Sequence, residues 1–285
     1  MKCSSLVTLG LVVAACGLMA LALTGCGSSA AQTEGAQARE AKDQPKASAS
    51  NPSQGSGKGM AAIKQASEAG KYLFIFFSKA DDDQTLAMRK VFDKAMDKVA
   101  DRAQGVAVSI TDTSERTIVA KFDLSRAPMP LVLALAPNGA ITGGFPTKFE
   151  EKELLDAFAT PGTEKVMRPL QDGKLVFVCV QNDKTTSNDG ALQGVRDFKA
   201  DVRFASATEI VTLDPSDKKE AGFLTDLQVP SDTKEAVTVL VVPPGQAIGK
   251  FAGATNKDAL IELLSKATAG CGPGGCGPGG CGPQK

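Results

Sequence analysis

Sulfur carries most of the chemistry this chain could attempt, and its placement is uneven. Cys271, Cys276 and Cys281 lie in a Cys-Gly-Pro-Gly-Gly repeat, two full copies and a partial third. Gly and Pro oppose regular helix and sheet, so a flexible string of thiols is expected there. Three thiolates on one strand could wrap a soft ion such as Cu(I) or Zn(II). The same thiols could instead close disulfides within the tail or with another chain, since an odd thiol in an oxidising compartment seeks a partner. The four residues between successive cysteines exceed the Cys-x₂-Cys spacing of a structural zinc site. A low-complexity tail without chemistry of its own is the remaining reading. Cys179 is different: it lies inside Val176-Phe177-Val178-Cys179-Val180, where a lone cysteine acts as a small buried hydrophobe.

Other reactive groups are sparse. The chain contains no His. That excludes Ser-His-Asp and Cys-His nucleophile activation and every His-ligated metal site. It also removes the side chain best suited to proton transfer near neutral pH. Asp81-Asp82-Asp83 could serve as a metal or acid–base cluster. The plainer reading is a helix start, where carboxylates accept from free N–H groups and complement the dipole. Lys plus Arg balance Asp plus Glu at 32 each, Trp is absent and Tyr72 is the single Tyr. Neither an electrostatic footprint nor a stacking platform for nucleic acid is present.

These groups must be positioned by the elements around them. Tyr72-Leu73-Phe74-Ile75-Phe76-Phe77 is a continuous apolar run, as in a strand buried on both faces. Met88, Val91, Phe92, Ala95, Met96 and Val99 then recur at helical spacing. Val106–Ile110 reads as a strand, Thr117–Phe122 as a helix, and Leu131–Ala136 as a strand. Pro137-Asn138-Gly139 is a turn, Ala140–Phe145 a strand, and Phe149–Phe158 a last helix. The second half repeats this β-α-β-α-β-β-α order in Leu175–Val180, Gly190–Lys199, Thr208–Leu213, Glu220–Leu227, Val237–Val242, Gln246–Phe251 and Lys257–Ala267. Ala136–Phe145 aligns without a gap against Val242–Phe251, and the second strands end alike at Asp112 and Asp214. An internal duplication with a boundary near Thr160-Pro161-Gly162 accounts for this.

That order, with Met129-Pro130 before the third strand, resembles the thioredoxin-like family. The resemblance implies an α/β fold of two tandem domains, each a central mixed sheet flanked by helices. It also implies that Pro130 takes the family's cis-Pro position beside the active site. The second copy has about Ala236 there, so no cis-Pro is expected. The family's Cys-x-x-Cys at the first helix start is missing: Asp81-Asp82-Asp83-Gln84 stands in one copy and Asp183-Lys184-Thr185-Thr186 in the other. Dithiol exchange needs two sulfurs, so both copies are expected to be redox-inactive at that position.

The beginning of the chain adds an anchor. Met1–Lys2 is a short positive start, followed by an apolar or small run from Leu6 to Leu23. The run closes on Leu23-Thr24-Gly25-Cys26, which resembles a bacterial lipobox. The resemblance implies a signal peptide over 1–25 and acyl chains on Cys26. Each buried CH₂ holds the anchor by about 0.8 kcal/mol, so two or three chains (palmitate, for example) keep it bound. An uncleaved apolar anchor is the other reading, and both place the body in the cell envelope, outside the cytoplasm. Gly27 stands where inner-membrane lipoproteins often carry Asp, which favours the outer membrane if the cell has two. Residues 26–60 form the lipidated cysteine and a Gly/Ser/Ala/Gln-rich linker expected to be disordered, with a reach on the order of 30 Å. Domain 1 then covers 61–161, domain 2 covers 162–268, and the cysteine tail 269–285.

The expectation is therefore a non-catalytic envelope lipoprotein whose two modules bind or scaffold an envelope partner. The alternative is a thiol-redox or soft-metal protein working through Cys271, Cys276 and Cys281. A third option is an enzyme with an unrecognised site around Asp81 and Pro130.

Overall fold

The computed structural model describes residues 57–269, with side chains to 267. Cys26, the signal peptide, most of the linker, and Cys271, Cys276 and Cys281 lie outside the described residues. Strand β1 (Tyr72–Ser78) pairs in parallel with β2 (Ala103–Ser109) and antiparallel with β3 (Leu131–Leu135), which pairs with β4 (Ile141–Pro146). The sheet order is β2-β1-β3-β4. The second sheet repeats it as β6-β5-β7-β8, from β5 (Leu175–Val180), β6 (Thr208–Leu213), β7 (Val237–Val242) and β8 (Gln246–Ala252). This is the expected architecture: two tandem α/β modules of thioredoxin-like type, each a mixed sheet flanked by helices.

Alternation along the central strands builds two cores per module. Tyr72, Phe74 and Phe76 face α2 (Asp83–Lys98) and α4 (Glu151–Leu155), where Phe92, Ala95 and Leu154 meet them. Leu73, Ile75 and Phe77 face α1 (Lys58–Glu68) and α3 (Arg116–Lys121), packing with Ala66 and Ile118. In the second module Val176, Val178 and Val180 meet Val166 and Leu170 of α5 (Pro161–Gln171) and Leu224 of α7 (Ala221–Asp226). Phe177 and Cys179 meet Val195 and Phe198 of α6 (Asn188–Ala200) and Leu260 of α8 (Lys257–Ala269).

Two helices extend the sequence reading. α1 begins at Lys58, inside the stretch assigned to the linker, and α5 begins at Pro161. Each module thus opens with a helix before its central strand. The helix expected over Phe149–Phe158 is confined to Glu151–Leu155, because the chain must reach an extended Thr160 before Pro161 at the first turn of α5.

Both opening helices are held by a buried carboxylate. Glu115 accepts from the Gly59 N–H at 3.1 Å. Glu220 accepts from the Gly162 N–H at 2.7 Å and from the Thr160 hydroxyl at 2.5 Å. A negative group at a helix start satisfies orphan donors and complements the dipole. Asp112 and Asp214 each close a turn just before these glutamates, accepting from Ser114 N–H at 2.9 Å and Ser216 N–H at 2.8 Å. Among the described residues no helix is long and apolar enough to cross a membrane.

Candidate functional site

The fold places one polar helix start per module beside the strand that follows it in the sheet. In the first module Asp82 is the N-cap of α2 and its carboxylate accepts from Thr85 N–H at 2.7 Å. That bond, with the Thr85 hydroxyl, holds the Asp82 carboxyl below its ordinary range. Asp83 opens the first turn. The Gln84 side-chain amide donates to the Thr147 carbonyl at 3.0 Å, and the Thr147 N–H donates to the Pro130 carbonyl at 2.6 Å. The helix start, the loop after β4 and the Met129–Pro130 step are thus joined, and the Met129–Pro130 peptide is cis.

The corresponding start in the second module follows a knot of side-chain hydrogen bonds, while its N-cap, Ser187, makes no side-chain cap bond. The Thr185 hydroxyl, buried, donates within reach of the Asn182 carbonyl and Asn188 Oδ1 at 2.8 and 2.7 Å. The Asn188 amide donates to the Asn182 carbonyl at 2.7 Å, and the Asn182 amide to Asp214 at 2.8 Å. Ala236 takes the place of Pro130. Unlike Pro it has an N–H, which donates to the Thr186 carbonyl at 2.9 Å. The Thr186 N–H in turn donates to the Lys234 carbonyl at 2.9 Å. A short bridge of this chain's own backbone therefore lies where the first module has a proline, which has no N–H to donate. The Pro243–Pro244 peptide is also cis, in the β7–β8 turn.

Cys179 is the free cysteine among the described residues, and it is buried in β5 beside Thr238 of β7. Burial pushes its thiol up to about 11, so little thiolate exists near neutral pH. Among the described residues no group of three His, Cys, Asp or Glu is placed to hold a metal ion.

The sequence did not point to the junction between the modules. α5 opens the second module but docks on the first module's hairpin. The Gln171 side chain pairs both backbone groups of Ile141, accepting from its N–H at 2.8 Å and donating to its carbonyl at 2.7 Å. Arg168 donates to the Gly139 carbonyl at 3.0 Å and forms a fork with Asp172. The Asn138 amide donates to the Glu164 carbonyl at 2.8 Å. Tyr72 completes the clamp. Its hydroxyl donates to Glu164 Oε1 at 2.5 Å and accepts from Ala159 N–H at 2.9 Å. Burial, with the Glu220 charge nearby, raises the Glu164 carboxyl above its ordinary range. Burial and the Glu164 partner raise the Tyr72 phenol as well.

No protein-family model matches the chain, and no curated protein matches it. Solved structures do. Thioredoxin O2 from Arabidopsis thaliana in the oxidised state is 14% identical over 35% of this chain and 82% of its own, with a TM-score of 0.30. The first two thioredoxin domains of Saccharomyces cerevisiae Eps1p are 10% identical over 76% of this chain and 98% of theirs, with a TM-score of 0.28. The same pair from Naumovozyma dairenensis Eps1p is 9% identical over 77% and 97%, also at 0.28. At these scores the fold rests on the strand order and directions described above.

Proposed function

We propose that this chain is a cell-envelope lipoprotein, tethered to a membrane through Cys26, whose tandem thioredoxin-like body binds or scaffolds an envelope partner without dithiol chemistry. One observation carries the reading: the stretch at each helix start carries no thiol and is tied up in hydrogen bonds, Asp82 and Gln84 in one module and Asn182, Thr185 and Asn188 in the other. Dithiol exchange requires a thiolate that can reach a disulfide sulfur, and Cys179 is buried under α6 and α8. The junction clamp supports a scaffold, because it fixes the two modules relative to each other through hydrogen bonds from four side chains.

The reading is tested by insulin reduction with dithiothreitol as electron source. The full-length chain and a variant with Cys271, Cys276 and Cys281 all changed to Ser should both show only the uncatalysed rate. Turnover that survives in the triple variant would place redox chemistry in the body and end the proposal. Turnover lost in the triple variant would favour the second reading, a thiol or soft-metal function of the Cys-Gly-Pro-Gly-Gly repeat. That reading also expects a stoichiometric soft metal that disappears on deletion of residues 270–285. Anchoring is tested separately: the chain should enter the detergent phase of a phase-separating extract, and Cys26→Ser should leave it aqueous.

A further inference from the structure

A half-enclosed chamber of about 300 Å³ lies under the module junction, between α1, the β3–β4 turn and α5. Its floor is apolar: Ile63 of α1, Leu73 of β1 and Leu135 of β3. Leu73 and Leu135 are buried core residues that back the floor, and the partly buried Ile63 offers its open apolar surface. The charged lining groups are Lys121 and Arg168, and no carboxylate lines it. Lys121 makes no ion pair among the described residues, and its ammonium sits 5.7 Å from the Phe122 ring. Arg168 spends three N–H groups on Asp172 and the Gly139 carbonyl, which leaves part of its five-donor fork unspent.

The roof belongs to the tandem rather than to the fold. A Cβ on Gly139 would meet Arg168 Nη1 at 3.1 Å, whereas one on Gly245, at the corresponding turn of the second module, would meet nothing within 4 Å. Among the described residues, the Arg168 roof found where α5 crosses the first hairpin has no counterpart at the Gly245 turn. Pockets that bind small molecules combine apolar walls with a few convergent polar groups. Here the polar groups are cationic donors, which favour a carboxylate through charge-assisted hydrogen bonds.

We propose that this chamber binds a small aliphatic carboxylate, with its alkyl body against Ile63 and Pro137 over the Leu73–Leu135 floor and its carboxylate between Lys121 and Arg168. The Asp172 charge behind Arg168 reduces that residue's share, so Lys121 supplies most of the selectivity for an anion.

The test is an amide-resolved NMR titration of the full-length chain with 4-methylpentanoate, using 4-methylpentanamide as the neutral isostere. Saturable shifts should localise to Ser67, Lys121 and Gly139. The amide should bind about tenfold more weakly, the scale of one hydrogen bond to a charged group. Lys121→Met changes an exposed residue and should weaken carboxylate binding by about the same factor while leaving the amide unaffected. Ser67→Phe, at the chamber mouth, should abolish both. Absence of saturable shifts overturns the proposal. So does equal binding of acid and amide, or carboxylate affinity unchanged in Lys121→Met.

Discussion

Replacing Tyr72 with Phe removes one oxygen from the clamp between the modules and keeps the ring. The ring still packs 4.7 Å from Phe158, so the apolar term is preserved. Two partners lose out: Glu164 loses its 2.5 Å donor, and the Ala159 N–H loses its 2.9 Å acceptor. A hydrogen bond to a charged group contributes about 1.5–3 kcal/mol, and a buried backbone N–H left unpaired costs about 1–3. The site is half-buried, so water recovers part of both, and about 2–3 kcal/mol remains. For a body of this size each kcal/mol moves the midpoint by about 2–4 °C, so Tyr72→Phe should melt roughly 4–12 °C lower. Thermal and denaturant unfolding of the full-length chain measure it. In a double-mutant cycle with Glu164→Gln, the coupling should be about 1 kcal/mol or more. A loss under about 0.5 kcal/mol with no coupling would falsify the clamp as a determinant of module docking.

Glu164 also makes stability depend on pH. Its carboxyl is raised in the folded state, so its contribution is full below the ordinary glutamate range and is lost as pH climbs through the raised value. Wild type should therefore lose stability relative to Glu164→Gln as pH rises from the ordinary glutamate range, and parallel curves in calorimetry would show the shift has no energetic weight. Asp82 works in the opposite sense. Its carboxyl is lowered, so Asp82→Ala should melt below wild type at neutral pH, by less than Tyr72→Phe, and converge with it as acid protonates the cap. Gly162→Ala would place a Cβ 2.5 Å from Glu220 Oε2, which is pinned at the start of α5. The substitution should cost about 2 kcal/mol in denaturant titration, more than Gly59→Ala, whose nearest clash is the movable end of Ile118.

The strands were legible where apolar runs had sharp edges. Leu175–Val180, Thr208–Leu213 and Val237–Val242 coincide with β5, β6 and β7 end for end. The opening helices were not. α1 emerges from a Gly/Ser-rich stretch with only Met60 and Ile63 as large apolar residues. α5 carries Pro161 and Pro169, which read as breakers along the sequence, although a first-turn proline suits a helix. The Asp82 cap is local, three residues from its donor, and could be read directly. The Glu115 and Glu220 caps reach donors 56 and 58 residues away, and no periodicity announces such a contact. Tyr72 was visible as the single tyrosine, but its partners at Ala159 and Glu164 are fixed only when α5 folds over the first hairpin.

The body's want of an available thiol can be measured directly by native-state alkylation with iodoacetamide at pH 7, read peptide by peptide by mass. Cys179 should stay unlabelled for as long as the body is folded and label promptly in denaturant. Rapid labelling of Cys179 in the native chain would mean that a reactive sulfur does reach the surface of the second module, and the account of a non-redox scaffold would be wrong.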